Sequence, residues 1–324
     1  MDLHSFSFSG GTISNMKQFS LFVIIIFFFT KGVAQALLPL VKQKGTPSVI
    51  NHNTNNYNAD PLNFDVTQDE RGIMYFANSS GVLEYDGNTW RMLKLPNESR
   101  VYSLAYDKQT RRVYVGGVGD FGYLSSDSQG ITKFISLKSL VPEKLRDFKH
   151  VWLTFVTPHQ GIIFFTTSGV YLLKDGKIKT FSPSSKNPFH AAFFVKNNLY
   201  VREWGVGLKK LNGKQLKLVP NGEAFANERI YAMLPYNAQS ILVITRTKGL
   251  FLYDGQNFTP WHSELTPKFL EEAQVYFSKT LGNSYFALAT TKKGVIILNK
   301  RGKIIQQIDE SAGLVTTCSP PSIL

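Results

Sequence analysis

Cysteine is almost absent from this chain. Its 324 residues contain one, Cys318, so no disulfide can form within the chain and a large apolar core must hold it together. Acidic residues are also few, because 36 Lys and Arg outnumber 23 Asp and Glu and give a net charge of +13. The basic residues are scattered along the chain, which favours a solvated basic surface over a nucleic-acid site.

The sequence also lacks the common signatures of catalysis and metal binding. Its six His residues are dispersed, without HxH or HExxH spacing, and neither a GxSxG elbow nor a phosphate-binding glycine loop is present. We therefore expect no metal, no cofactor and no catalytic residue. One enzyme alternative stays open, a hydrolase or lyase in which Asp120 and Glu203 converge as acid and base.

What the sequence does contain is a repeat. Six times a strand-like run reaches a glycine, and five or six residues later an Asp or Asn opens a turn. The glycines recur every 38 to 47 residues, a period typical of β-propeller blades. They are Gly81, Gly122, Gly169, Gly207, Gly249 and Gly294, and the turn residues are Asp86, Asp127, Asp175, Asn212, Asp254 and Asn299.

Each repeat divides into four strands, which we designate A to D. The second and third are apolar on both faces, as expected when each small sheet lies between two others. Asp-Gly pairs such as Asp86-Gly87 predict two-residue type I′ turns between strands C and D. Helical patterns are nearly absent, and residues 138–148 form the one predicted helical insertion. The sequence thus predicts an all-β propeller of about six four-stranded blades, or an incomplete ring of seven.

The ends of the chain differ from the repeats. The apolar run Phe19–Phe29, followed by small residues, predicts a signal peptide within residues 1–36, with Met16 as a plausible start. About 11 apolar residues are too few to span a membrane, which needs roughly 20. We expect a polar lead-in over 37–59, six propeller repeats over 60–308, and the truncated start of a further blade over 309–324. An exported, periplasmic protein follows from the signal peptide.

The stretches GIMYFANSSGVLEYDGNTWRMLKLP and VYSLAYDKQTRRVYVGGVGDFGYL resemble the two-component regulator propeller repeats of Bacteroidetes regulators. The resemblance covers roughly residues 60–315 and rests on repeat motifs, not on catalytic ones. It implies an extracytoplasmic sensor region of a transmembrane regulator. The tyrosine-rich module, membrane span and output domain that follow the propeller in that family have no counterpart here, which suggests a truncated product.

Propeller geometry places the start of strand A and the B to C turn at one end of each blade, near the channel. The A-strand starts are all aromatic or His, and the B to C turns are mostly polar. The starts are Phe64, Tyr102, Trp152, His190, Tyr231 and Tyr276, and the turns hold Asn78, Asp120, Thr167, Trp204, Arg246 and Lys292. From these positions, with Arg202 just below a turn, we predict a ligand site at Trp152, His190, Arg202, Trp204, Tyr231, Arg246 and Asp120.

Aromatic rings beside directional polar groups suit a sugar or another small polar ligand. The structural alternative is that the aromatics only wedge neighbouring blades, and that Arg202 and Glu203 form a buried ion pair. We expect a ligand-sensing propeller that binds a small polar molecule or oligosaccharide, either on this face or against another propeller subunit. A protein-interaction scaffold is the alternative from another class.

Overall fold

The structure of the chain, a computed structural model, describes residue 50 and residues 52–312. The predicted signal peptide and most of the lead-in lie outside the described residues, as do residues 313–324 with Cys318. Within the described part, no helix is both long and apolar enough to cross a membrane.

Twenty-four strands make up the six repeats of the described chain. Blades one to three comprise β1 Asn63–Gln68, β2 Met74–Asn78, β3 Gly81–Tyr85, β4 Trp90–Leu93, β5 Val101–Asp107, β6 Arg112–Gly117, β7 Phe121–Ser126, β8 Thr132–Ser136, β9 Leu153–Thr157, β10 Gly161–Phe165, β11 Val170–Lys174 and β12 Lys177–Phe181. Blades four to six comprise β13 Phe189–Val195, β14 Asn198–Glu203, β15 Gly207–Asn212, β16 Gln215–Leu218, β17 Ile230–Pro235, β18 Ile241–Thr245, β19 Leu250–Tyr253, β20 Phe258–Pro260, β21 Val275–Leu281, β22 Tyr285–Thr290, β23 Val295–Asn299 and β24 Ile304–Ile308.

Every four consecutive strands form one antiparallel sheet in simple sequential order. The first strands of most neighbouring sheets contact one another (β1 with β5, β5 with β9, β13 with β17 and β17 with β21), which places them innermost, around the channel. The chain is therefore a six-bladed β-propeller, and the predicted fold class is confirmed.

Apolar clusters fill the junctions between consecutive blades of the described chain. Between blades one and two, for example, Tyr75 and Ala77 of β2 pack with Leu104, Val113 and Val115 of the next blade. Comparable clusters join each later pair up to blades five and six. Because successive strand residues point to opposite faces, β2 contributes one set of side chains to each neighbour.

The repeated glycines have a steric cause. A Cβ on Gly122 would lie 2.0 Å from the Ile135 carbonyl oxygen of β8, and one on Gly81 would lie 2.6 Å from that of Leu93 in β4. Real Cβ atoms do not approach so closely, so the fourth strand excludes any side chain at these positions. At Gly81, Gly122 and Gly294 the repeat signature thus marks the close approach of strand D to strand C, whereas a Cβ at Gly249 would meet nothing closer than 3.7 Å.

The C to D turns differ in part from the prediction. Asp175 and Gly176 both have positive φ, as a type I′ turn requires, but at Asp86-Gly87 only the glycine does. There the Asp86 carboxylate accepts hydrogen bonds from the N–H groups of Asn88 and Thr89. The side chain itself stabilises the turn, so Asp86 has no need of the left-handed conformation.

Helices are short and few in the described chain. The predicted insertion contains two 3₁₀ turns, Lys138–Leu140 and Glu143–Leu145. The helix α1 (Thr54–Tyr57) lies in the lead-in, and α2 (Pro267–Ala273) precedes blade six. The repeat pattern did not predict α2, although Thr266 caps it by accepting a hydrogen bond from the Phe269 N–H and Pro267 opens its first turn.

The junction between blade six and blade one is packed differently from the other five. Val66 of β1 is 50% exposed, whereas its counterpart Leu104 in blade two is 5% exposed and packs against blade one. On blade six, Phe277 is 58% exposed, and Ala287 and Ala289 are only partly buried. The positive charge of Lys279 nevertheless opposes the rise in the pKa of Asp65 that burial causes, so the innermost strands of the two blades lie near each other.

Because the two junctions differ in packing, truncating side chains at equivalent positions should lower the free energy of unfolding by different amounts. Leu104→Ala should lower the free energy of unfolding by about 2 to 5 kcal/mol, because it leaves a cavity in a packed junction. Val66→Ala should cost less than about 1 kcal/mol, because the residue is already 50% exposed to water. Urea unfolding of both variants measures the two values. Equal losses would mean that the blade 6–blade 1 junction is packed in solution.

Candidate ligand-binding site

The aromatic residues at the A-strand starts share an unusual backbone position. In five blades the register with strand B shifts at that residue, so the side chain sits in a β-bulge. Bulges re-aim a side chain away from the regular alternation of a strand. The bulged residues are Phe64, Tyr102, His190, Tyr231 and Tyr276. In blade three Trp152 directly precedes β9, and its N–H bonds to the Phe165 carbonyl.

In blades one to three these residues pack mainly on one another. The Tyr102 ring lies 4.7 Å from the ring of Phe64 and 4.7 Å from that of Trp152, measured between centroids. His150, which the sequence analysis did not select, contacts both Tyr102 and Trp152. This group agrees with the structural alternative, in which the aromatic rings fill the space between neighbouring blades and do not bind a ligand.

In blade four, three predicted site residues come together. The Arg202 guanidinium stacks on the Trp204 ring, with its central carbon 3.4 Å from the ring centroid. His190 meets the same indole edge-on at 5.2 Å. Arg202 is fully buried and Trp204 is partly exposed, so the indole is the part of the pair that solvent reaches.

Arg202 is held by the loop that leads to blade five. Its Nε and Nη2 atoms donate hydrogen bonds to the carbonyl oxygens of Phe225 and Ala226. Nη1 is buried and has no hydrogen-bond partner. The buried Arg202–Glu203 ion pair, the structural alternative to a ligand site, does not form, because adjacent strand residues point to opposite faces of the sheet. Burial lowers the pKa of Arg202 to about 10, which still leaves it charged at neutral pH.

Glu203 belongs to a separate network on the other face of the strand. It pairs with Lys209 and accepts hydrogen bonds from the Ser184 and Ser185 hydroxyls and the Ser185 N–H. Burial would raise the pKa of Glu203, but these donors lower it further than burial raises it. The network fixes the loop that leads into blade four.

Asp120 lies in blade two, in the turn between β6 and β7. Its carboxylate accepts from the Ser136 hydroxyl and from the Phe121 N–H, and burial raises its pKa. Asp120 and Glu203 are therefore bound in different networks on different blades. The acid–base pair of the enzyme alternative remains a hypothesis with no contact between its members to support it.

Blade five adds the remaining predicted residues. Arg246 lies in the β18–β19 turn, where its N–H bonds to the Arg229 carbonyl and its Nε is buried without a partner. Burial raises the pKa of Tyr231, while the charges of Arg246 and Arg229 oppose that rise. Glu228 accepts from both the N–H and the hydroxyl of Thr247.

Arg229 and Glu228 were missed by the sequence analysis. They precede Tyr231, the A-strand start of blade five. They belong neither to the A-strand starts nor to the B to C turns, the two sets of residues that the repeat placed at this end of the blades. The charges of Arg229 and Glu228 affect the pKa of Arg202, and the charge of Arg229 also lowers the pKa of His190. The cluster therefore spans blades four and five. We call His190, Arg202, Trp204, Arg229 and Arg246 the arginine cluster.

Two other surface depressions lie away from the arginine cluster. One, of about 310 Å³, opens at the opposite end of blades five and six and is lined by Tyr236, Tyr285 and Lys300 among others. The second, of about 520 Å³, runs along the rim between β4 and β8. Neither lining contains an unpartnered buried polar atom, so the arginine cluster is the better candidate for specific binding. No group of three potential metal ligands occurs among the described residues.

Comparisons with known proteins support the fold. No protein-family model and no curated protein matches the chain. Among solved structures, the WD40 β-propeller domain of Doa1 is 14% identical with a TM-score of 0.56, over 76% of this chain and 82% of that one. The Cps50 (Swd1) β-propeller domain of Myceliophteria thermophila is 12% identical with a TM-score of 0.52, over 76% and 85%. At such identities the likeness shows the propeller fold alone.

The extracellular domain of a putative hybrid two-component system from B. thetaiotaomicron is also similar. It is 12% identical, and the match covers 79% of this chain and 41% of that one. Its TM-score of 0.35 is too low for the likeness to carry an argument.

His190 should make the fold sensitive to acid. Burial, with Arg202 and Arg229 nearby, lowers its pKa to about 3, against about 6.5 for an unfolded His. The unfolded chain therefore binds a proton that the folded chain does not, and stability falls as the pH drops from about 6.5 towards 3. His190→Gln should flatten the dependence of Tm on pH between 7 and 4.5. The exposed His159→Gln is the control, and an identical slope in all three proteins would contradict this assignment.

Proposed function

We propose that this chain is a non-catalytic, exported ligand-sensing propeller that binds a small polar molecule, such as a glycan fragment, at the arginine cluster. The observation that carries the proposal is the stack of Trp204 on the buried Arg202, beside His190 and with one guanidinium nitrogen unpartnered. A partly exposed indole offers a stacking surface for a sugar ring, and the guanidinium offers a directional donor.

The resemblance to two-component regulator propeller repeats supports a sensor role outside the cytoplasmic membrane. In such a protein, ligand binding changes the population of conformations or contacts between subunits, and no bond is made or broken. Export and a periplasmic location rest on the apolar run Phe19–Phe29, and the proposed ligand class rests on the site.

The test is a thermal-shift screen of the whole chain against a panel of oligosaccharides. A ligand that raises Tm should lose this effect in Trp204→Ala, because the stacking surface is gone, while the Tm of the free variant stays close to that of the wild type. Trp90→Ala is the matched control, since this partly buried indole stacks on Tyr85 in blade one and belongs to no predicted site. A Trp204→Ala variant that keeps the full shift would refute this site.

A second candidate, an interaction scaffold, is favoured by the blade 6–blade 1 junction. Val66 and Phe277 expose large apolar side chains there, and such surfaces often mark protein interfaces. Light scattering of the chain at increasing concentration tests it: association that Phe277→Asp abolishes would favour a scaffold, and a monomer at all concentrations would weaken it.

A further inference from the structure

Unpartnered buried polar atoms are concentrated at the arginine cluster. Nine such side-chain atoms occur in the described residues, and three of them are His190 Nδ1, Arg202 Nη1 and Arg246 Nε. Two of the three belong to guanidinium groups, which can donate hydrogen bonds but cannot accept them. A buried donor without an acceptor is unfavourable, so the site lacks acceptor atoms in particular.

The charges of the cluster also favour a ligand that supplies acceptor atoms. Arg229 links the two halves of the cluster: its charge acts on Arg202 and His190 in blade four, and on Tyr231 in blade five, where the charge of Arg246 acts as well. Two carboxylates oppose these arginines. Glu228 is already engaged by Thr247, and Glu271 approaches Arg246 only to 3.9 Å with both side chains partly exposed. Positive charge is therefore in excess where the unpartnered donors are.

We propose that the ligand bound at the arginine cluster carries acidic groups, carboxylates or sulfates, which accept hydrogen bonds from Arg202 and Arg246. This inference rests on the proposed function and narrows its ligand class. An anionic oxygen suits these donors better than a hydroxyl, because charge-assisted hydrogen bonds are roughly twice as strong as neutral ones. Planar guanidinium groups also match the paired oxygens of a carboxylate or sulfate.

Trp204 determines how such a ligand reaches its site. Its indole stacks directly on the Arg202 guanidinium, and Nη1 is closed off from solvent. An acidic group that bonds to Nη1 must shift this indole, while the remaining part of the ligand packs on its free surface. Binding should therefore change the fluorescence of Trp204.

The test compares three sets of oligosaccharides of equal length on the whole chain: galactose oligomers, sulfated galactose oligomers and galacturonate oligomers. Thermal shift and tryptophan fluorescence are the readouts. At least one acidic set should bind about tenfold or more tightly than the neutral set, a preference equivalent to one strong hydrogen bond. The sulfated and uronate sets distinguish the two acidic groups.

Variants identify the donors. Arg246→Gln removes one guanidinium from a partly exposed side chain and should reduce the acidic preference at least severalfold. The control Arg91→Gln alters an arginine of blade one that pairs with Glu84, and it should leave the preference unchanged. The fluorescence change should disappear in Trp204→Phe. Arg202→Lys tests the second donor if this variant folds. If it does not fold, Arg246→Gln alone shows whether the cluster binds the acidic groups.

The outcomes separate the two proposals. If neutral and acidic oligomers bind equally well, the acidic ligand is refuted and the proposed function stands. If no set changes either Tm or fluorescence, the proposed function itself fails. An acidic preference that Arg246→Gln and Arg202→Lys both leave intact would also overturn the assignment to the arginine cluster.

Discussion

The packing of each sheet between two others is the constraint on which this molecule depends. Without disulfides, a four-stranded sheet gains its stability by burying apolar side chains on both faces. Strand B shows this most clearly, since Tyr75 faces blade two while Phe76 faces the opposite way. Once both faces are occupied, only the ends of the strands remain for polar residues. Function is therefore confined to the turns and to the strand starts beside them.

Much of the fold could be predicted from the sequence because its causes are local. At Gly81, Gly122 and Gly294 strand D allows no Cβ, and at Asp86 the carboxylate stabilises the turn that follows strand C. The helix Pro267–Ala273 was missed because seven residues carry too little periodicity to stand out among strands. The type I′ assignment at Asp86 was wrong because the sequence does not show whether an Asp acts through its backbone or its side chain.

The candidate site was only partly predictable, because contacts between blades are not local in the sequence. The repeat correctly placed His190, Arg202 and Trp204 at one end of a blade, where they make contact. It could not show that Trp152 packs within another group, or that Asp120 and Glu203 belong to separate networks. Which side chains pair across blades depends on loops such as the one at Phe225 and Ala226, whose path lies outside the repeat pattern.

The loosely packed junction of blades six and one has a consequence for how stability is distributed. A ring with equal junctions behaves as a cycle, in which every blade has two partners and none is terminal. With one weak junction, the six blades approach a linear array, and such arrays lose order from their ends. Blades three and four then form the most protected region, whereas blades one and six open first. The arginine cluster, built on blades four and five, lies near the rigid middle of that array.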